Sequence, residues 1–355
     1  MAQVRVALAG IGNCSAGFVQ ALEYYKNGNA IGLLHRKLGG FRIEDIDVVA
    51  AFDVDIKKVG KDIAEAIFTK PNTAPKIVDV PKSGVIVQKG ELLDGIDGII
   101  RESGQVAVSD AEPVPIVKEL IETQADMLVC LLPTGAKKAT EYYAEQALKA
   151  EVAFINGTPQ FIASDPLWGK KFKTAGLPVV GDDLQSQMGG TIFHKGVLEM
   201  LAKRGIRVEN TYQLDLAGGL EGLNTMDIDR MRFKRKVKSE TISRVLPYSG
   251  TGVETGTSDY FDILENRRIG YFWIEATGFL GRPILCDITL KTEDAANGAG
   301  TLVDVVRATK VALNRVVAGP LISVSAYGFK RVPVYTSSEE AIRWFEEFIA
   351  GNRDL

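Results

Sequence analysis

Two stretches carry side chains able to move protons and hold charge. The run DRMRFKRKVK, residues 229–238, contains Arg230, Arg232, Lys234, Arg235, Lys236 and Lys238. Lys234 and Lys238 are four apart, so on a helix they share one face, where two ammonium groups would bind a phosphate and stabilise developing oxyanions. Convergence would lower each lysine's pKa, which suits a proton carrier. In GDDLQSQMGGT (181–191), Asp182 and Asp183 point to opposite sides if the chain is extended, leaving one to face a ligand. That carboxylate is placed to orient a lysine, hold a divalent cation or cap a helix beginning near Ser186. His35 and His194 lack metal-ligand spacing and read as structural, and nothing local marks Lys330 in SAYGFK as catalytic.

A third stretch, VALAGIGNCSAGF (6–18), reads as a strand, a tight glycine turn and a helix. That geometry aims backbone N–H groups and a helix N-terminus at a pyrophosphate. The spacing is Gly10-x-Gly12-x-x-Ser15, with a small residue in place of a third glycine. Asp53, ending the second strand in AAFDVD, either takes the ribose hydroxyls of a dinucleotide, favouring NAD over NADP, or caps a turn. It lies 41 residues beyond Gly12, against a usual interval of about 20, so an insertion is expected around residues 28–40. The loops LLPTGA (131–136) and INGTP (155–159) end the fourth and fifth strands. Thr134, Gly135 and Asn156 are thereby candidates to flank a nicotinamide, although both loops are also ordinary turn chemistry.

The elements that must position these groups follow from hydrophobic patterning. From residue 1 to about 184, short β-branched runs alternate with helical stretches, and the runs are continuously apolar, as strands buried on both faces require. SDAEPVPIVKELIETQA reads as a helix with Ser109 and Asp110 as caps, and GAKKATEYYAEQALKA as another. Between about 195 and 295, TYQLDLAGG, YFWIEATGF and PILCDITLKTED alternate, which suits a sheet with two unlike faces. YFWIEATGF is too apolar for a solvated face and points to contact with another subunit. NGAGTLVDVVRATK restores a helix from Asn297, and Ser337 to Glu340 has capping-box spacing. The expected architecture is a Rossmann-like doubly wound parallel sheet plus an inserted α+β domain. Residues 1–190 bind the cofactor, 191–295 serve catalysis and oligomerisation, and 296–355 pack back on the first domain.

A chain of 355 residues exceeds the size at which one core stops growing, which agrees with that division. Its net charge of −3 supplies no global attraction to nucleic acid or an anionic membrane, so any anion site is local. Three scattered cysteines, Cys14, Cys130 and Cys286, suggest neither a disulfide framework nor a zinc site and fit a reducing cytoplasm. No apolar run reaches the roughly 18 residues of a membrane span, and no signal segment opens the chain.

With these motifs in place, the chain resembles the myo-inositol-1-phosphate synthases, particularly the shorter bacterial form. The likeness runs nearly the full length, through GIGNCSAGFVQALEYYKNG, VVAAFDVDIKKVGKDIAEAIF, SDAEPV, FIASDPLWGKKF, GDDLQSQMGGTI, NGAGTLVDVVRATKVA and GPLISVSAYGFK. It implies an NAD-dependent isomerase that converts glucose 6-phosphate to 1D-myo-inositol 3-phosphate. Oxidation at C5, enolisation at C6, aldol closure onto C1 and return of the hydride leave no net redox change. Lys234, Lys238 and Lys330 match the family's active-site lysines, Asp183 its pocket aspartate, and Asp294 an acidic position near cofactor and lysine. The cofactor side implied by the likeness comprises Gly10, Gly12, Asn13, Cys14 and Ser15 in the first turn, with Asp53. Pro133, Thr134, Asn156, Asp182, Ser186, Asp294 and Ala295 join them from later loops. A divalent or monovalent cation and a homotetramer are also implied.

Four positions, in three stretches, depart from the family's pattern. Gln185 stands where a lysine follows the paired aspartates, Gly219 and Glu221 stand in the place of a Gly-Asn-x-Asp signature, and Asp259 lies nearest a missing lysine. These departures leave open a cyclitol synthase acting on another hexose phosphate. An NAD-binding sensor without turnover is the third reading, and clustered ammonium groups, whose repulsion costs stability, argue against it.

Overall fold

Seven parallel strands form the larger sheet of the computed structural model, which describes residues 3–355. Their order is Gly319–Pro320, Pro178–Gly181, Ala153–Asn156, Met127–Cys130, Val4–Ala9, Ile46–Asp53 and Val87–Lys89. Chain order reverses between Val4–Ala9 and Met127–Cys130, leaving a crevice at their carboxyl ends, where such sheets bind ligands. Val4, Val6 and Leu8 enter the core on one face while Ala7 and Ala9 enter the core on the other. Both faces are covered, so the strands read as unbroken apolar runs. Gly319–Pro320, two residues long, carries no strand signal in the sequence.

Three helix starts differ from expectation. Ser109 and Asp110 do not cap a helix, because the Ser109 N–H bonds the Val54 carbonyl at 2.9 Å and the helix, Ile116–Glu122, begins behind Pro115. No helix begins near Ser186; the chain stays irregular until Gly190–Lys203. The long helix starts three residues before Asn297, at Asp294, and runs to Asn314. It crosses the first helix, Asn13–Tyr24, so closely that a Cβ on Gly17 would collide with the Ala295 carbonyl. The insertion before the second strand is clasped to this long helix. Fully buried Arg307 donates to the His35 carbonyl at 3.0 Å and pairs with Asp304 at 2.5 Å. Gln187, in the loop after Asp183, donates to the Gly32 carbonyl at 2.7 Å, so the insertion also braces the edge of the crevice.

Between Gly190 and Asp294 the chain builds a second layer. Gly252–Tyr260, Arg207–Ala217, Arg267–Thr277 and Pro283–Glu293 form a mixed four-stranded sheet in that order. Along Arg207–Ala217 residues alternate between buried and exposed, and the inward set includes Thr211, Gln213 and Asp215. Helix Ile228–Ser243 lies against this sheet, its first turn capped by Asp227. The outer face exposes Tyr212, Leu214, Tyr271 and Leu285, with Tyr212 stacked on Trp273 at 5.5 Å. Helix Ser338–Ala350 closes the chain; Ser337 accepts from the Glu340 N–H at 3.2 Å. Among the described residues no helix is long and apolar enough to cross a membrane.

Candidate active site

The crevice opens into a cleft of about 360 Å³ that runs from the glycine turn to the lysine helix. At its cofactor end, Gly10 has φ +92°, and a Cβ there would lie 2.8 Å from the Leu131 carbonyl, so only glycine fits. A Cβ on Gly12 would meet nothing within 4 Å, and helix Asn13–Tyr24 has no side-chain cap and no acidic residue in its first turn. The turn therefore leaves open space beside unpaired N–H groups, the shape a pyrophosphate needs. Ser15, where a third glycine is usual, donates its hydroxyl to the Gly10 carbonyl at 2.7 Å and fastens the turn. Asp53 accepts from the Ile11 N–H at 2.8 Å, so it orients the turn while still lining the cleft. Asn13, Cys14, Pro133, Thr134, Ser186, Asp294 and Ala295 line the cleft too. Burial and the nearby Asp294 push the Cys14 thiol up to about 12, so it stays protonated.

Three sequence candidates, Gly135, Asn156 and Asp182, lie outside the cleft lining. Asp182 is fully buried and accepts from Asn156 at 2.7 Å, from the Ser164 hydroxyl at 2.6 Å, and from the backbone N–H groups of Ile162, Ala163 and Ser164. Asn156 also donates to the Gln160 carbonyl at 2.7 Å and accepts from Thr158. Neither lines the cleft. They close the loop behind the fifth strand, which corrects the cofactor-side reading of both. Burial raises the Asp182 carboxyl to about 6, against the pull of Ser164 and Asn156.

Asp183, its backbone at φ +60°, turns the other way. Its Oδ1 lies 2.8 Å from Lys330 Nζ and 3.5 Å from Lys234 Nζ. The two segments meet through backbone exchange: the Lys330 N–H donates to the Asp183 carbonyl at 2.9 Å and the Arg331 N–H to the Asp182 carbonyl at 3.0 Å. Thr241, one turn beyond Lys238, holds the Lys330 carbonyl at 2.8 Å. The basic run divides as helical spacing demands. Arg230, Lys234 and Lys238 form one inward stripe, while Arg232, Arg235 and Lys236 are exposed. Arg230 is pinned by Asp97 and Asn224 rather than facing the cleft.

These contacts set the charges. Burial opposes ionisation of Asp183, yet Lys234, Lys330 and Lys238 hold its carboxyl down to about 2. Burial, eased by Asp183 and reinforced by Lys234 and Lys238, brings the Lys330 amine down to about 8. Lys234 moves the opposite way: burial works against its ammonium, but Asp183 and Glu221 outweigh it and raise its pKa. Lys234 Nζ is 3.5 Å from Glu221 Oε1 and 3.2 Å from the Thr134 hydroxyl, which itself bonds Glu221. Lys238 bonds buried Asp215. One lysine is thus poised to exchange a proton near neutral pH while its neighbour stays charged.

The structure adds residues that spacing had not singled out. Arg268 reaches the cleft from Arg267–Thr277, pairs with Asp294 at 2.8 Å, and with Lys238 holds Asp215 below the ordinary carboxylate range despite burial. Asp215 and Gln213 were signalled only by polar residues recurring on the inward side of an otherwise apolar alternation. Asp259, nearest the missing family lysine, is exposed and accepts from the Tyr260 N–H. Gln185 and Gly219 line the cleft beside these charges. Among the described residues no three His, Cys, Asp or Glu side chains gather as a metal would require. His35 pairs with Glu346 at 3.0 Å, far from the cleft lining.

A sequence profile for the family described as myo-inositol-1-phosphate synthase matches residues 189–295, the layer that carries Lys234 and Lys238. The inositol-3-phosphate synthase of Mycolicibacterium smegmatis is 41% identical, with 98% of each chain covered. The chain belongs to the inositol-phosphate synthase family. Among solved structures, a myo-inositol-1-phosphate synthase-related protein from Thermotoga maritima superposes with a TM-score of 0.81 at 25% identity, covering 98% of each chain. The crystal structure of Ari2 gives 0.77 at 29% identity, covering 98% of this chain and 99% of that one. Both superpositions cover the parallel sheet and the second layer together, so the lysine cleft lies within the shared fold.

Proposed function

We propose that the chain is an NAD-dependent inositol-3-phosphate synthase that turns D-glucose 6-phosphate into 1D-myo-inositol 3-phosphate. The observation that carries this reading is the meeting of Lys234, Lys238 and Lys330 in one cleft with the glycine turn. NAD, when bound, supplies the acceptor and later the donor of a hydride, so the sugar leaves at its original oxidation level. Gly10, Gly12, the free end of the first helix and Asp53 would hold it. Lys330 takes the C5 hydroxyl proton and returns it, because an amine near 8 passes protons readily in both directions. Lys234 and Lys238 stabilise the enolate and the alkoxide formed on closure. Asp183 holds Lys330 and Lys234, and its Oδ2 is buried with no hydrogen-bond partner among the described residues.

The exposed aromatic face of the second sheet, which a like face would cover, supports a symmetric oligomer, and the family resemblance implies a homotetramer. Three unpaired cysteines accord with a reducing cytoplasm. One observation favours a second reading. Glu221 engages Thr134 and Lys234 in the cleft, and this longer carboxylate, standing where the family pattern has an aspartate, would suit the differently arranged hydroxyls of another hexose phosphate in a cyclitol synthase. Anaerobic incubation with glucose 6-phosphate and NAD⁺, followed by phosphorus NMR, tests both. Inositol 3-phosphate is the expected product; another cyclic phosphate supports the second reading, and unchanged sugar overturns both.

A further inference from the structure

A buried polar chain leads from Lys238 away from the cleft. Lys238 donates to Asp215 Oδ2, and Gln213 Nε2 lies 2.9 and 3.1 Å from the two Asp215 oxygens. Gln213 Oε1 is 3.3 Å from His194 Nδ1, and His194 Nε2 is 2.8 Å from the Thr211 hydroxyl. All five side chains are buried. The edge of Phe272 packs on the imidazole at 5.4 Å and fixes its plane.

Hydrogen-bond chemistry gives this chain one direction. An ionised carboxylate only accepts, so the Gln213 amide must turn its nitrogen toward Asp215 and its oxygen toward His194. That oxygen also only accepts, so the hydrogen between them sits on His194 Nδ1. Burial takes the imidazole down to about 4, so near neutral pH the ring carries a single hydrogen, and its bare Nε2, 2.8 Å from the Thr211 hydroxyl, competes for that hydroxyl's one hydrogen with the Trp273 carbonyl at 2.7 Å. From the imidazole inward, every donor points toward Asp215. With the ring removed, the Gln213 oxygen loses its donor and the amide is held at its nitrogen end alone, free to shift off the carboxylate and disturb the ion pair with Lys238.

We propose that His194 is a positioning residue for Lys238: as the neutral Nδ1–H tautomer it anchors the Gln213 amide, which fixes the Asp215 carboxylate and so holds the Lys238 ammonium in the cleft. The part this plays in turnover rests on the synthase reading above. The two-histidine composition makes the tautomer directly measurable. In the full chain labelled with nitrogen-15 at histidine, with His35→Gln assigning the second set of signals, His194 shows a neutral ring protonated at Nδ1. An Nε2–H tautomer or an imidazolium at neutral pH overturns the proposal.

A double-mutant cycle supplies the functional arm. His194→Phe lowers kcat about tenfold with little change in KM for the sugar phosphate, and His194→Asn, whose amide N–H replaces the Nδ1–H, recovers most of it. In an Asp215→Asn background, His194→Phe has less than about a twofold further effect. Equal losses in both backgrounds, or no recovery by asparagine, overturn the proposal by showing that the ring only fills space. If the expected tautomer is present and no inositol phosphate forms, the synthase reading fails and the hydrogen-bond chain stands.

Discussion

The two ends of the cleft are made of different material. The cofactor end is mostly backbone: Gly10, Gly12 and the first turn of helix Asn13–Tyr24 are consecutive in sequence, and Ser15 and Asp53 serve chiefly to hold that turn. The lysine end is mostly side chain. Asp183, Asp215, Lys234, Lys238, Arg268 and Lys330 come from five separate segments and meet only after both layers have folded. A site made of backbone is intolerant of an added Cβ, whereas a site made of opposed charges is intolerant of losing any one of them.

Substitutions sharpen that contrast in order of expected size. Lys330→Met removes the proton carrier and lowers kcat about a thousandfold while NAD affinity, read by fluorescence titration, stays within about twofold. Lys234→Met removes one oxyanion partner and lowers kcat about a hundredfold, again with NAD affinity preserved. Gly10→Ala acts at the other end. The φ of +92° and the 2.8 Å approach to Leu131 cost about 1–3 kcal/mol, seen as about tenfold weaker NAD binding. A Gly10→Ala protein whose kcat at saturating NAD falls as far as that of Lys330→Met would erase the distinction between the two ends.

The smallest effect is in the pH profile. Lys330 acts as a base in its neutral form, and its amine lies near 8, so kcat/KM rises with pH and levels off above about 8. Asp183 is what raises the Lys330 pKa, whereas burial, Lys234 and Lys238 lower it. In Asp183→Asn only the lowering influences remain, and the rising limb moves to lower pH. A limb that stays in place or moves upward would show that another group titrates.

How much of this could be read from the sequence follows the same division. Gly10, Gly12 and Asp53 were legible because backbone geometry is written in neighbouring residues, and the six longer strands were legible because both faces are buried. Lys234 and Lys238 could be paired through helical spacing alone. That Lys330 joins them depends on the exchange between residues 182–185 and 328–331, a contact with no local signature. Asn156 and Asp182 misled for a physical reason. A polar residue at a strand's carboxyl end serves equally to bind a ligand or to close a loop, and here five donors converge on Asp182 from within the chain. Asp215 went unseen because one buried carboxylate in an alternating strand looks like any outward polar residue one position away.

The central claim is that both ends of the cleft act on one sugar in one visit. Glucose 6-phosphate carrying deuterium at C5 tests this in a single mass measurement of the product. The account predicts inositol phosphate that keeps the deuterium, because the hydride taken at C5 is held beside the lysines until closure and then returned to the same carbon. Inositol phosphate that has lost the deuterium, or a C5-oxidised sugar that leaves without closing, would contradict it.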